Sequence, residues 1–145
     1  MNLLGQYEVS VGDKGRIALP SKVKKELGEK VIITYGFEKS LIVVSEQNWT
    51  RLIGELKNSS LFEVSARDTK RFLFGGAASV ALDKQGRFLL PEYLRKYAGI
   101  DNEVIFLGLE SYVELWDKKS WTKHTNTLQG EIEKIAETLI KKIEE

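Results

Sequence analysis

The sequence predicts a β-rich α+β fold: two tandem copies of one strand–turn–strand–helix–hairpin unit, followed by a C-terminal amphipathic helix. Three observations carry this prediction. The segment Gly12-Asp-Lys-Gly-Arg-Ile-Ala-Leu-Pro20 returns as Asp83-Lys-Gln-Gly-Arg-Phe-Leu-Leu-Pro91. Apolar residues alternate on either side of both segments, as half-buried strands require. The last residues place Leu128, Ile132, Ile135, Ala136, Leu139, Ile140 and Ile143 at helical spacing between Glu and Lys.

The match extends well beyond the Gly-Arg pair. Gly15, Arg16, Leu19 and Pro20 fall on Gly86, Arg87, Leu90 and Pro91 at an offset of 71, and Val23, Leu27 and Gly28 fall on Leu94, Ala98 and Gly99. One inserted residue shifts the offset to 72, where Gly36, Glu38, Leu41 and Trp49 meet Gly108, Glu110, Val113 and Trp121. Self-similarity of this order over a fixed period marks a tandem duplication. It divides the chain into a first repeat at 1–60, a helical connector at 61–76, a second repeat at 77–124 and the tail helix at 125–145.

Each copy reads the same way. Tyr7–Val11 and Ala78–Leu82 alternate as strands. Asp13-Lys-Gly15 and Lys84-Gln-Gly86 supply turn chemistry, with Gly free to take positive φ. Arg16–Leu19 and Arg87–Leu90 return as second strands. Pro20 and Pro91 suit the first turn of a helix, where a missing N–H costs nothing. Short helices are expected over Ser21–Leu27 and Glu92–Ala98, stopped by Gly28 and Gly99. Val31–Tyr35 and Val104–Leu107 read as strands, with Gly36 and Gly108 in turns. Leu41–Val44 and Tyr112–Trp116 pair back as hairpins, and Gln47–Leu56 and Lys118–Leu128 read as helices. In the connector, Val64, Phe72 and Phe74 alternate with Arg67, Lys70 and Arg71 as a helix with one basic face, broken by Gly75-Gly76. The tail stripe must cover something, either its own chain or a neighbouring protomer.

Composition excludes several classes of function. At 42% hydrophobic and 30% charged residues the chain can offset its conformational entropy by burial. No apolar run approaches the roughly 20 residues of a membrane helix, and the N-terminus has neither the basic start nor the apolar core of a secretory signal. There is no cysteine, so disulfides and thiolate metal sites are excluded. His124 is the only histidine, so one chain cannot build a multi-histidine metal site; its setting reads as an exposed structural residue. Neither a phosphate-binding Gly-rich loop nor a glycosidase-like carboxylate pair is present. The expectation is a protein that is not an enzyme and takes no metal or cofactor. Net charge is +1; residues 1–72 carry 12 basic and 9 acidic side chains, and residues 73–145 carry 10 and 12. Any electrostatic footprint must therefore come from local placement.

Neither half has enough strands to close a large barrel alone, and short strands leave exposed edges. Two copies on one chain can pair with each other as an intramolecular pseudo-dimer, bringing both Gly-Arg turns to a common two-fold axis. Symmetric basic turns suit a repetitive partner such as duplex nucleic acid. A β-ribbon enters the major groove, where arginine offers a fork to guanine O6 and N7. Lys14, Arg16, Lys84 and Arg87 would be the charged groups, with nearby lysines on phosphates. The residues alone equally allow an ordinary folding role, in which an Arg beside an Asp only fixes a turn, or a protein contact.

These motifs resemble the MraZ family, which has two tandem swapped-hairpin domains of the AbrB/SpoVT type. The family signature Asp-x-x-x-Arg, followed by Pro, is matched fully by Asp83-Lys84-Gln85-Gly86-Arg87 and Pro91. Leu4-Gly5-Gln6-Tyr7, Arg71-Phe72-Leu73-Phe74 and Glu114-Leu115-Trp116-Asp117 also resemble the family, and the likeness covers about residues 3–125. One departure stands out: the first repeat has Gly12 where the signature has Asp, with the carboxylate one place later at Asp13.

The resemblance implies a sequence-specific DNA-binding regulator of the division and cell-wall gene cluster. It would bind G-rich direct repeats upstream of its own operon as a ring-shaped homo-oligomer, in the cytoplasm and on the nucleoid. Its DNA-binding residues would be Lys14, Gly15, Arg16, Asp83, Lys84, Gly86 and Arg87. Two rivals are an oligomeric protein-interaction scaffold and an antitoxin-like partner protein, neither with direct DNA readout. Related antitoxins typically carry one copy and a long disordered tail, unlike the short amphipathic tail here.

Overall fold

The fold is a computed structural model that describes residues 3–57 and 60–145. In the first repeat the strands are β1 (Leu3–Ser10), β2 (Arg16–Ala18), β3 (Lys30–Tyr35) and β4 (Leu41–Ser45), and the helices α1 (Ser21–Leu27), α2 (Glu46–Leu52) and α3 (Gly54–Lys57). The connector forms α4 (Val64–Leu73). The second repeat has β5 (Ala78–Ala81), β6 (Arg87–Leu89), α5 (Glu92–Tyr97), β7 (Glu103–Glu110) and β8 (Val113–Asp117), and the chain closes with α6 (Lys118–Glu144).

The two copies exchange strands. A six-stranded antiparallel sheet runs in the order β1-β7-β8-β4-β3-β5, so the first strand of each repeat pairs with the hairpin of the other. The registers match: Val9 faces Val104 across β1–β7, and Val80 faces Val31 across β5–β3. Backbone bonds outside the ladders repeat the exchange. Val11 N–H donates to Asn102 O at 2.8 Å, and Leu82 N–H donates to Glu29 O at 3.0 Å. β2 and β6 form a separate two-stranded ribbon with Ile17 opposite Phe88. A pseudo-two-fold axis passes through that pair and through Ile42 and Glu114 at the β4–β8 seam. The fold is thus α+β and strand-rich, with two tandem intertwined units and a C-terminal helix.

Core composition follows the same symmetry. Between ribbon and sheet lie Ile17 and Phe88, Val23 and Leu94, Ile33 and Phe106, and Val43 and Leu115, all nearly inaccessible to solvent. The opposite sheet face is also covered. Ile32, Ile42 and Val44 meet Trp49 and Leu73, while Ile105 and Trp116 meet Trp121 and Leu128. Burial on both faces explains why Leu41–Val44 is an unbroken apolar run.

Several expectations are corrected. β1 begins at Leu3 rather than Tyr7 and pairs with β7 along its whole length. Gln47–Leu56 is two helices, with Ile53 as the C-cap of α2 and α3 restarting at Gly54. The α5 helix ends at Tyr97, one residue short of the expected Ala98. Gly108 is a strand residue of β7 facing Gly5, and it does not sit in a turn. The equivalent of Gly36 in the ladder is Leu109: Gly36 N–H donates to Ser40 O, and Leu109 N–H donates to Tyr112 O. The second hairpin is one residue shorter, which moves the strand offset to 73 before β8 restores 72. His124 is half-buried, stacked on Trp116 with ring centroids 4.9 Å apart, where the sequence suggests exposure. α6 is one continuous helix across 124/125, with Leu128 against the sheet and Ile132, Ile135, Leu139, Ile140 and Ile143 exposed.

Candidate nucleic-acid interface

Each ribbon strand is only three residues long, and alternation divides their side chains cleanly. Ile17 and Phe88 point into the core. On the solvent side Arg16 lies opposite Leu89 and Ala18 opposite Arg87, so the two arginines occupy diagonal corners of one outward face. The ribbon is tied at both ends: Leu19 N–H donates to Gly86 O at 2.9 Å, and Leu90 N–H donates to Gly15 O at 3.1 Å. A concavity of about 600 Å³ opens beside it, lined by Asp13, Lys14, Arg16, Arg87 and Leu89 among others.

The turns that lead into the ribbon require glycine. Gly15 has φ +79° and Gly86 φ +77°, in the left-handed region where a Cβ is strained. Each glycine is covered by a basic side chain from the other repeat. A Cβ on Gly15 would lie 2.6 Å from Arg95 Nη1, and one on Gly86 would lie 3.0 Å from Lys24 Cδ. Lys24 Nζ also donates to Lys84 O at 3.1 Å. Lys24 and Arg95 therefore add positive charge beside the turns. They sit 71 positions apart and are both basic, a signal present in the sequence and missed there.

Five of the seven candidate residues lie in these two turns, Arg16 and Arg87 open the ribbon strands that follow, and the two sets are not equivalent. Lys14 precedes Gly15 directly, with φ +60°. Lys84 sits one place earlier in its turn, opposite Asp13 in the alignment, and Gln85 takes the position of Lys14. Asp83 organises the second turn. Its Oδ1 accepts from Gln85 N–H at 2.8 Å and Arg87 N–H at 2.9 Å, and its Oδ2 accepts from Arg87 Nε–H at 3.1 Å. The Arg87 backbone N–H is the largest influence holding this carboxyl below the usual aspartate range; desolvation opposes it, and the Gln85 N–H and the guanidinium add to the lowering.

Other polar groups are accounted for structurally. Lys118 pairs with Glu8 and lies 3.5 Å from Glu103. Burial pushes the Glu114 carboxyl up, opposed by the indole N–H of Trp116 at 2.9 Å. Among the described residues no cluster of three His, Asp or Glu side chains could hold a metal. No helix among them is long and apolar enough to cross a membrane.

Comparison with known proteins agrees with this architecture. The model of a family described as "MraZ protein, putative antitoxin-like" matches twice in tandem, over residues 3–72 and 73–143. A protein named transcriptional regulator MraZ from Thermoanaerobacter sp. (strain X514) is 41% identical over 137 residues, covering 94% of this chain and 96% of that one. The protein of the same name from Acetivibrio thermocellus is 40% identical over 135 residues, covering 93% and 94%. A solution structure of PHS018 from Pyrococcus horikoshii aligns with a TM-score of 0.34 at 19% identity, over 78% of this chain and 97% of that one, too distant to bear on the fold. With two matched units spanning nearly its whole length, the chain belongs to the MraZ family.

Proposed function

We propose that this protein is a sequence-specific DNA-binding transcriptional regulator rather than an enzyme. It reads G-rich direct repeats upstream of its own operon, within the division and cell-wall gene cluster, and works in the cytoplasm on the nucleoid. The observation that carries this reading is the outward face of the β2–β6 ribbon, with Arg16 and Arg87 on diagonal corners. A two-stranded ribbon fits the major groove, and arginine forks pair with guanine O6 and N7. Lys14, Lys84, Lys24 and Arg95 lie in or against the turns at the ends of the ribbon and suit phosphate contact, with Gly15 and Gly86 shaping the turns and Asp83 holding Arg87. The relatives named transcriptional regulator support the same role.

The working form is a homo-oligomeric ring. Its support is the apolar stripe of α6, where Ile135 is 44% and Ile143 75% exposed, a surface that an isolated soluble chain seldom leaves open. Ring assembly gives a nearly neutral chain many weak sites at high effective concentration along successive repeats. The test is binding of purified protein to labelled duplex from its own upstream region, beside a scrambled duplex. Tighter binding to the repeats supports the reading. Equal binding to both contradicts it and favours a protein-interaction scaffold.

A further inference from the structure

The two ribbon arginines match in position and differ in support. Asp83 N–H donates to Arg87 O at 2.9 Å and Gly12 N–H donates to Arg16 O at 2.8 Å, so the backbones of the two turns close alike. Both turns hold a carboxylate, Asp13 and Asp83, but only Asp83 accepts hydrogen bonds from its own turn. Asp83 holds the Arg87 guanidinium through Nε alone, and Nη1 and Nη2 of Arg87 have no partner among the described residues. Arg16 has no side-chain hydrogen bond or ion pair among them, and Asp13 does not reach it.

We propose that Asp83 is a positioning residue that pre-aims the Arg87 fork, and that Gly12 leaves Arg16 to be ordered only on binding, so the second repeat sets base specificity and the first mainly adds contact. This rests on the DNA reading above. An Nε-bound guanidinium keeps the two terminal nitrogens that a guanine fork requires. A free arginine loses rotamer freedom when it is fixed in a complex. Pre-aiming removes most of that cost for Arg87 and leaves it in full for Arg16.

Gly12 can accept the missing carboxylate. Its φ of −84° and ψ of −172° are extended backbone open to any residue. A Cβ there would meet its nearest neighbour, Arg16 O, at 3.4 Å, ordinary van der Waals contact. Gly12→Asp is therefore a constructive test.

The experiment measures, on the full chain, the preference for a labelled duplex with two G-rich repeats over a scrambled one. Arg87→Ala is expected to lose about tenfold of that preference and Arg16→Ala about threefold. Asp83→Ala is expected to lose about threefold when Arg87 is present and nothing in the Arg87→Ala background, while Gly12→Asp gains about threefold. In the DNA-free protein the Nε–H resonance of Arg87 is expected to be ordered and that of Arg16 motionally averaged, an order that Gly12→Asp restores. Equal losses from the two arginine variants, or an Asp83→Ala loss that persists without Arg87, overturn the proposal and leave Asp83 a turn residue only. A wild-type chain with no preference for the repeats overturns the DNA reading, and the proposal with it.

Discussion

Arg87 and Arg16 were legible in the sequence as paired positions, because a Gly-Arg turn repeated at a fixed offset is a pattern of neighbours along the chain. Lys24 and Arg95 match in type at the same offset, but their place beside the turns of the opposite repeat comes only with strand exchange. At this scale Gly15→Ala is expected to cost about 1–3 kcal/mol, from a left-handed φ and the Arg95 guanidinium in the path of the new methyl group. The denaturant midpoint reads it directly. Asp83 and Glu114 are shifted in opposite senses and predict opposite pH behaviour. Asp83 is lowered, mainly by the Arg87 backbone N–H, so its contribution to stability is complete above the ordinary aspartate value of 3.8 and lost as pH falls through the lower folded value. Asp83→Ala should flatten that acid limb in thermal melts. Glu114 is raised, mainly by burial, so the folded state binds its proton more tightly than the unfolded chain. Stability therefore declines as pH rises from the ordinary glutamate value of 4.5 through the folded one. Glu114→Gln, which keeps an acceptor for the Trp116 indole, should remove that decline, and an unchanged melting profile would contradict it.

Element by element, the strands and short helices were readable because alternation and Pro–Gly punctuation are local signals. Register was less so. The second hairpin is one residue shorter than the first, and the glycine alignment conceals this, since Gly108 matches Gly36 by type while the ladder pairs Leu109 with that role. Gly108 is glycine because β1 crosses close by: a Cβ there would sit 2.7 Å from Leu3 C and 2.8 Å from Leu4 N. Gly108→Val should push β1 off its neighbour and cost about 1–3 kcal/mol, visible as a lower unfolding midpoint and faster amide exchange over Leu3–Ser10. Trp121 is the anchor of α6, edge-on to Trp116 at 5.2 Å and donating through its indole N–H to Gln6 at 3.2 Å. Trp121→Ala is expected to cost about 3–5 kcal/mol in global stability.

In the whole molecule the duplication makes one chain its own dimer, with Ile17–Phe88 and Ile42–Glu114 on the axis. The sequence pointed to pairing between copies, but which strand pairs with which hairpin came from the family resemblance and then from the ladder itself, because non-local pairing leaves no local trace. The tail helix shows the same limit. Its stripe was evident in the sequence, whereas the division between an anchored start at Leu128 and an exposed remainder depends on where the sheet ends. If α6 closes the proposed ring, truncation after Gly130 should leave the pseudo-dimer folded and yield smaller species than the full chain in sedimentation. Ring formation unaffected by the truncation would remove α6 from the interface. The central claim is that the ribbon arginines read sequence while the surrounding lysines supply attraction. Its most direct test compares wild type, Arg16→Ala/Arg87→Ala and Lys24→Ala for affinity on repeat and scrambled duplexes across a salt series. The arginine double variant is expected to lose the preference for repeats, whereas Lys24→Ala keeps it and only flattens the salt dependence, by about one unit of log–log slope. A double variant that still prefers the repeats would contradict that claim.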